Sequence, residues 1–177
     1  MKFPTRRPRH ILAAAFLLVP TAVPQATKPK APSPPAPQGK LEIRLLVTTE
    51  PEKVFRPTKG ADGKFAQAEP VKIAPRGKPV AAVVFFKNCQ PDASGNCNVD
   101  IDLLGIDPRG KIFENRRDAA LWRNVKAPAG GFTQLGSSYM KMQFEAGDPA
   151  GVWRVSAVAH DRVSGAEARS EASFELK

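Results

Sequence analysis

Asp100 and Asp102 are the first residues to ask about chemistry. They sit two positions apart in NVDIDLL, so on a strand they project from one face, roughly 7 Å apart at about 3.3 Å per residue. Two carboxylates at that spacing are the raw material of acid–base catalysis. With Asp92, Ser94, Asn96 and Asn98 they also form an oxygen-rich stretch of the kind a hard cation uses. The spacing does not match an EF-hand loop, whose glycine follows the third ligand. A solvated strand face beside an Asx-rich turn accounts for the same residues without catalyst or metal. His160, the only histidine beyond the N-terminal segment, falls on the strand face opposite Trp153 and reads as a surface residue. No G-x-S-x-G elbow, H-E-x-x-H or P-loop is present. The expectation is a chain that is not an enzyme, with no catalytic residue, metal site or cofactor.

Cys89 and Cys97 are the only cysteines. Their spacing excludes a C-x-x-C redox motif, and two thiols do not complete a tetrahedral zinc shell. A structural disulfide is the expectation, contributing roughly 2–3 kcal/mol on the chain-entropy model. The pair brackets a polar loop between the apolar runs Val80–Phe86 and Val99–Ile106. We read residues 80–106 as a hairpin stapled across its loop, with the rest of the mature chain covering its two faces.

Charge and composition set the compartment. Formal net charge is +10, but residues 1–40 hold seven Lys or Arg and no acid. Removing those seven from the 27 basic residues leaves 20 against 17 acids, about +3 on the remainder. A nucleic-acid-binding domain concentrates its charge on the folded module, so no nucleic-acid partner is expected. Residues 1–26 read as a secretory signal peptide: Lys2, Arg6, Arg7 and Arg9 form a basic region, ILAAAFLLV a short apolar one, and Pro20 ends it. An uncleaved N-terminal anchor is the alternative and the sole membrane contact expected. Residues 27–40, TKPKAPSPPAPQGK, are a Pro-rich linker reaching roughly 40 Å as polyproline II. Export and a disulfide agree on the periplasm.

Residues 41–177 read as one all-β domain. Leu41, Ile43, Leu45 and Val47 share one strand face, and Val80–Phe86 is apolar enough for a central strand. Residues 50–79 are broken by five prolines and three glycines; Val71–Ala74 is a short strand there, and Phe55 and Phe65 are candidates to pin the loop. Asp107-Pro108-Arg109-Gly110 fits a type I turn, and Asp148-Pro149-Ala150-Gly151 repeats it. Lys111–Glu114 begin a short strand. Residues 115–138 read as irregular, with one helical turn over Asp118–Trp122 and Asp118 as its N-cap. Met140, Met142 and Phe144 point inward on a further strand. Residues 152–161 and 166–176 form a closing hairpin, with Trp153, Val155, Ala157, Ala159, Ala168, Ala172, Phe174 and Leu176 facing the core. About seven such strands give a single antiparallel β-sandwich with long irregular loops.

The string DPAGVWRVSAVAHDRVSGAEARSEASFEL resembles the closing hairpin of bacterial immunoglobulin-like and macroglobulin-type modules, and DIDLLGIDPRGKIF is similar to their strand–turn–strand element. The resemblance covers roughly residues 80–176. It implies an immunoglobulin-like sandwich with Trp153 anchoring a corner. The cysteine loop and the 115–138 excursion are not standard parts of those families. The chain is also similar to a family of uncharacterised exported proteins of Gram-negative bacteria, which implies a periplasmic home and no known reaction.

The expected function is binding of an envelope protein, with glycan binding as the alternative. Trp122, Arg116 and Arg117 in the presumed long loop, and Asp92 to Asn96 at the disulfide loop tip, are the expected contacts, because Trp and Arg are enriched at interface hot spots. Trp122 has a second reading, folded back to cap one end of the sandwich. A sugar site would draw on Trp122, Tyr139 and Phe132.

Overall fold

A computed structural model describes residues 39–56, 67–128 and 132–177, all within one compact unit. The signal segment, nearly all of the linker and Phe65 lie outside the described residues. The fold is an all-β sandwich of two sheets. One sheet has three strands in the order β1 (Glu42–Thr48), β3 (Pro79–Lys87), β6 (Gln134–Gln143). The other has five, in the order β2 (Ile73–Ala74), β8 (Glu167–Leu176), β7 (Gly151–Asp161), β4 (Asn96–Ile106), β5 (Ile112–Lys126). Every pairing is antiparallel except that of β2 with β8. Among the described residues one short helix, α1 (Pro51–Phe55), follows β1.

Alternation builds the core. Val80, Ala82, Val84 and Phe86 face inward from β3; Val99, Ile101 and Leu103 answer from β4, and Val155, Ala157 and Ala159 from β7. Burying each large apolar side chain stabilises the fold by about 1.5–3 kcal/mol. Met140, Met142, Phe174 and Leu176 are inward as expected. Trp153 is buried against Phe144 and Phe113, and its indole N–H donates to the Pro149 carbonyl at 3.1 Å.

Residues 80–106 are not a hairpin. β3 pairs with β1 and β6, while β4 pairs with β5 and β7 in the opposite sheet. The segment crosses the sandwich, and its two apolar faces meet across the core instead of lying side by side. Periodicity reports which side of a strand is buried and is silent on its hydrogen-bonded neighbour. The Cys89–Cys97 disulfide is present, with a Cα–Cα distance of 6.0 Å. It ties the exit of one sheet to the entrance of the other.

Residues 115–126 are not irregular, and Asp118 caps no helix. They continue β5, an edge strand of 15 residues paired along the 11 of β4. The four extra residues are absorbed at four register shifts. Asp118 (φ 50°) and Asn124 (φ 56°) stand at such breaks in the left-handed region, which Asp and Asn tolerate better than most residues. Each bulge exchanges the two faces of the strand, so no period-2 pattern survives in the sequence. The second D-P-x-G string also behaves differently: its turn lies three residues earlier, closed by Asp148 N–H donating to the Glu145 carbonyl at 3.2 Å.

Candidate functional site

Asp100 and Asp102 do lie on one face of β4, the outer face of the five-stranded sheet, but that face is not solvated. Asp100 is only 5% exposed. Its Oδ1 accepts from Arg123 Nε at 2.9 Å and from Arg123 Nη2, and its Oδ2 accepts from Arg162 Nε at 2.8 Å. Arg162 Nη2 goes on to Asp118 Oδ1. Asp102 accepts from the Asp118 backbone N–H at 2.9 Å and from Arg117 Nη1 at 3.0 Å. His160, read from sequence as a surface residue, is half-buried between two acids: Nε2 lies 3.4 Å from Asp102 Oδ2 and Nδ1 3.0 Å from Glu167 Oε1. The bulge at Asp118 makes this possible, because it turns both its backbone N–H and its carboxylate toward the acids and guanidiniums of the neighbouring strands.

Burial alone would raise the pKa of both carboxyls. For Asp100 the hydrogen bonds and charges of Arg162 and Arg123 outweigh it and hold the pKa below the ordinary value. For Asp102 the Asp118 N–H, Arg117 and His160 do the same. A general acid needs the opposite shift. The arrangement is an ion-pair lattice that locks β4, β5 and β7 together.

The disulfide loop turns inward in the same way. Asp92 Oδ1 accepts from the Ser94 and Asn96 N–H groups at 2.8 and 2.9 Å, Asn96 Nδ2 donates to Asn124 Oδ1 at 3.2 Å, and Lys126 Nζ donates to the Ser94 carbonyl at 2.6 Å. An ammonium therefore occupies the loop that a cation site would need. Among the described residues no three acidic, histidine or cysteine side chains converge as metal ligands.

Each of the expected contact residues is held by a partner within the domain. Trp122 packs on Phe86 with ring centroids 5.3 Å apart, and its Nε1 donates to the Lys126 carbonyl at 3.1 Å. Arg116 reaches across to the Tyr139 carbonyl at 3.1 Å, and Arg117 is engaged by Asp102 and by Asn115. Ser137 and Ser138 hydroxyls donate to the carbonyls of Ala120 and Leu121, which sews edge strand β5 to edge strand β6.

Sequence reading missed the outer face of the three-stranded sheet. There the outward residues of β3 are largely apolar and Leu46 of β1 joins them: Leu46, Ala81 and Val83 are buried beneath Val54 of α1 and Ala68. Beyond that cover Phe85 is half-buried, next to Leu135 in β6 and opposite Arg44 in β1. Two hollows open here. One of about 470 Å³ is lined by Glu42, Ile43, Arg44, Phe85, Phe86, Lys87 and Thr133. The other, about 280 Å³, is lined by Arg44, Leu46, Lys53, Val54, Gln67, Ala68 and Phe85. Phe55 stacks at 4.8 Å on Tyr139 along the same face. The signal was present in VAAVVFF, whose lack of alternation means that both faces of the strand are covered by something.

No protein-family model matches the chain. No curated protein matches it either. Among solved structures it is similar to a family 123 glycoside hydrolase from Clostridium perfringens, whose structural analysis concerns glycolipid glycan hydrolysis. Identity is 9% and the TM-score 0.38, over 76% of this chain and 27% of that one. The chain thus spans about a quarter of that enzyme's length, and a likeness of this degree carries no argument about activity.

Proposed function

We propose that this chain is an exported, non-enzymatic, immunoglobulin-like sandwich module that binds a protein partner in the periplasm, and that the partner contacts the outer face of the three-stranded sheet. The observation that carries the reading is Phe85. It stands half-buried between two hollows, beyond the helix that covers Leu46, Ala81 and Val83 on the same sheet face. Exposed apolar ground of this kind, rimmed by charge, marks interaction surfaces. The basic, apolar-centred N-terminus and the closed Cys89–Cys97 bridge support an oxidising compartment outside the cytoplasm. A sugar platform favours aromatic rings lying in one plane, whereas Phe55 and Tyr139 are inclined at 51°, which favours protein over glycan.

The test is capture from periplasmic extract with the mature protein and with Phe85→Asp, the fold of each checked by thermal melting. A protein retained by the first and lost by the folded variant supports the reading. Identical capture profiles from the two would sink it.

A further inference from the structure

We infer that the groove across Arg44 and Phe85 takes an extended protein segment of acidic–apolar character, in which a carboxylate lies between two apolar side chains. This rests on the protein-partner reading above and specifies its chemistry. The two hollows share Arg44 and Phe85 as a common wall, so anything occupying both must pass over that pair. At about 470 and 280 Å³ they suit individual side chains and are too small for a folded domain.

Charge then selects what crosses. Glu42 holds Lys87 at 3.0 Å on the rim of the larger hollow, and Glu50 holds Lys53 at 2.5 Å beside the smaller one. Arg44 is exposed and makes no ion pair among the described residues. An occupant that covered it with apolar atoms alone would desolvate a charge without return. An occupant placing a carboxylate there gains a charge-assisted, bidentate contact. Lys141, in register with Ala81 on the same face, is likewise exposed and outside every ion pair of the described residues. Arg44 and Lys141 therefore leave two uncompensated positive charges on the strands of this face, which favours an acidic segment laid across them in encounter as well as in the bound state. An anionic membrane is the poorer fit: it rewards a broad run of lysines and arginines, and here two of the cations are already held by glutamates on the rim.

The experiment pans a random dodecapeptide phage library on the full exported chain. The expected result is enrichment of peptides with Asp or Glu flanked on both sides by Leu, Ile, Phe or Trp. A synthetic peptide of the enriched sequence should bind Arg44→Glu about 10-fold more weakly than the unmodified chain, and changing its acid to lysine should recover part of that loss. Arg44→Gln provides the same comparison if the reversed charge does not fold. No enrichment, enrichment without acids, or indifference to both Arg44 variants overturns the inference. So does Arg44-dependent binding to phosphatidylglycerol vesicles without peptide selection. A periplasmic partner lost with Phe85→Asp but kept with Arg44→Glu would overturn the acidic chemistry alone. Indifference to Phe85→Asp overturns both readings.

Discussion

The two outer faces of this sandwich use their outward side chains in opposite ways. On the five-stranded sheet Asp100, Asp102 and Asp118 are each held by guanidiniums, and that lattice closes on itself. On the three-stranded sheet Leu46, Ala81, Val83 and Phe85 form an apolar strip among charged neighbours, a helix covers part of it, and half-buried Phe85 and exposed Arg44 are left beyond that cover. A face whose polar groups satisfy one another needs nothing more. A face with half-covered apolar residues beside an unpaired cation has contacts still to make. Exposure alone would have pointed the wrong way: Arg117 is 67% exposed at its side chain yet is held by Asp102, whereas half-buried Phe85 has no polar reason to stay where it is.

The largest expected effect tests whether the β5 region belongs to the fold. Trp122→Ala should destabilise the domain by about 2–3 kcal/mol, somewhat below the usual cost for a fully buried Trp because part of the ring is exposed. Chemical denaturation measures it. A variant of unchanged stability that lost a partner would return Trp122 to the interface and reverse the contrast drawn here.

Next is the lattice itself. Asp100→Ala leaves Arg123 and Arg162 facing each other without their shared carboxylate. Breaking a fully buried pair costs about 3–5 kcal/mol, but both guanidiniums are about half exposed and can rehydrate, so about 2 kcal/mol is expected. Acid should expose the same dependence. The folded pKa values of Asp100 and Asp102 lie below their unfolded values near 3.9. Their contribution is therefore fully present above that pH and is lost as pH falls toward the folded values. Melting temperature should drop below about pH 4, and less steeply in Asp100→Asn. Equal slopes in the two proteins would mean that other carboxylates carry the acid sensitivity.

How much of this was legible beforehand differed by element. Strands β1, β4, β7 and β8 alternate from side to side, so their inward residues could be read from residue types alone. Strand β5 could not, because four bulges scramble its pattern and its polar, charged run then resembles a loop. The pairing of β3 was hidden for a different reason, since an apolar strand in the middle of a sheet looks the same whether its sequence neighbour lies beside it or across the core. The ion-pair lattice draws Asp100, Asp118, Arg123 and Arg162 from two strands and the turn after β7, and the carboxylates and guanidiniums carry no sequence mark of who meets whom. The apolar outer face was written in VAAVVFF, but a covered second face and an interface produce the same letters. Only the position of α1, which stops short of Phe85, separates the two.

Close approaches offer a smaller and sharper probe. Gly136 stands where Leu121 reaches into the core from β5; a Cβ there would lie 2.1 Å from Leu121 Cδ1 and 3.1 Å from the Val84 carbonyl oxygen. Leu121 has no exposed surface and is hemmed in by the core, so it has little room to withdraw. Gly136→Ala should cost about 1–3 kcal/mol by overpacking. Pairing it with Leu121→Ala should recover part of that cost, and strictly additive losses would show that the two strands do not meet there.

The smallest stability effect is expected at the residue on which the binding face depends most. Phe85→Thr places a β-branched residue of high strand propensity on a central strand and gives up only the part of the ring already covered, so the loss should stay within about 1 kcal/mol. Val83, two residues earlier on the same face, is fully buried under the helix, and Val83→Thr should cost more despite the near-equal volume because it places a hydroxyl in an apolar site. If Phe85→Thr proves the costlier of the two, Phe85 is part of the core and the face is finished as it stands. If it is the milder, and the selected peptide no longer binds, then side-chain area retained at little benefit to the fold is retained for contact. The contrast between the two faces then becomes a difference between residues that hold the domain together and residues that join it to something else.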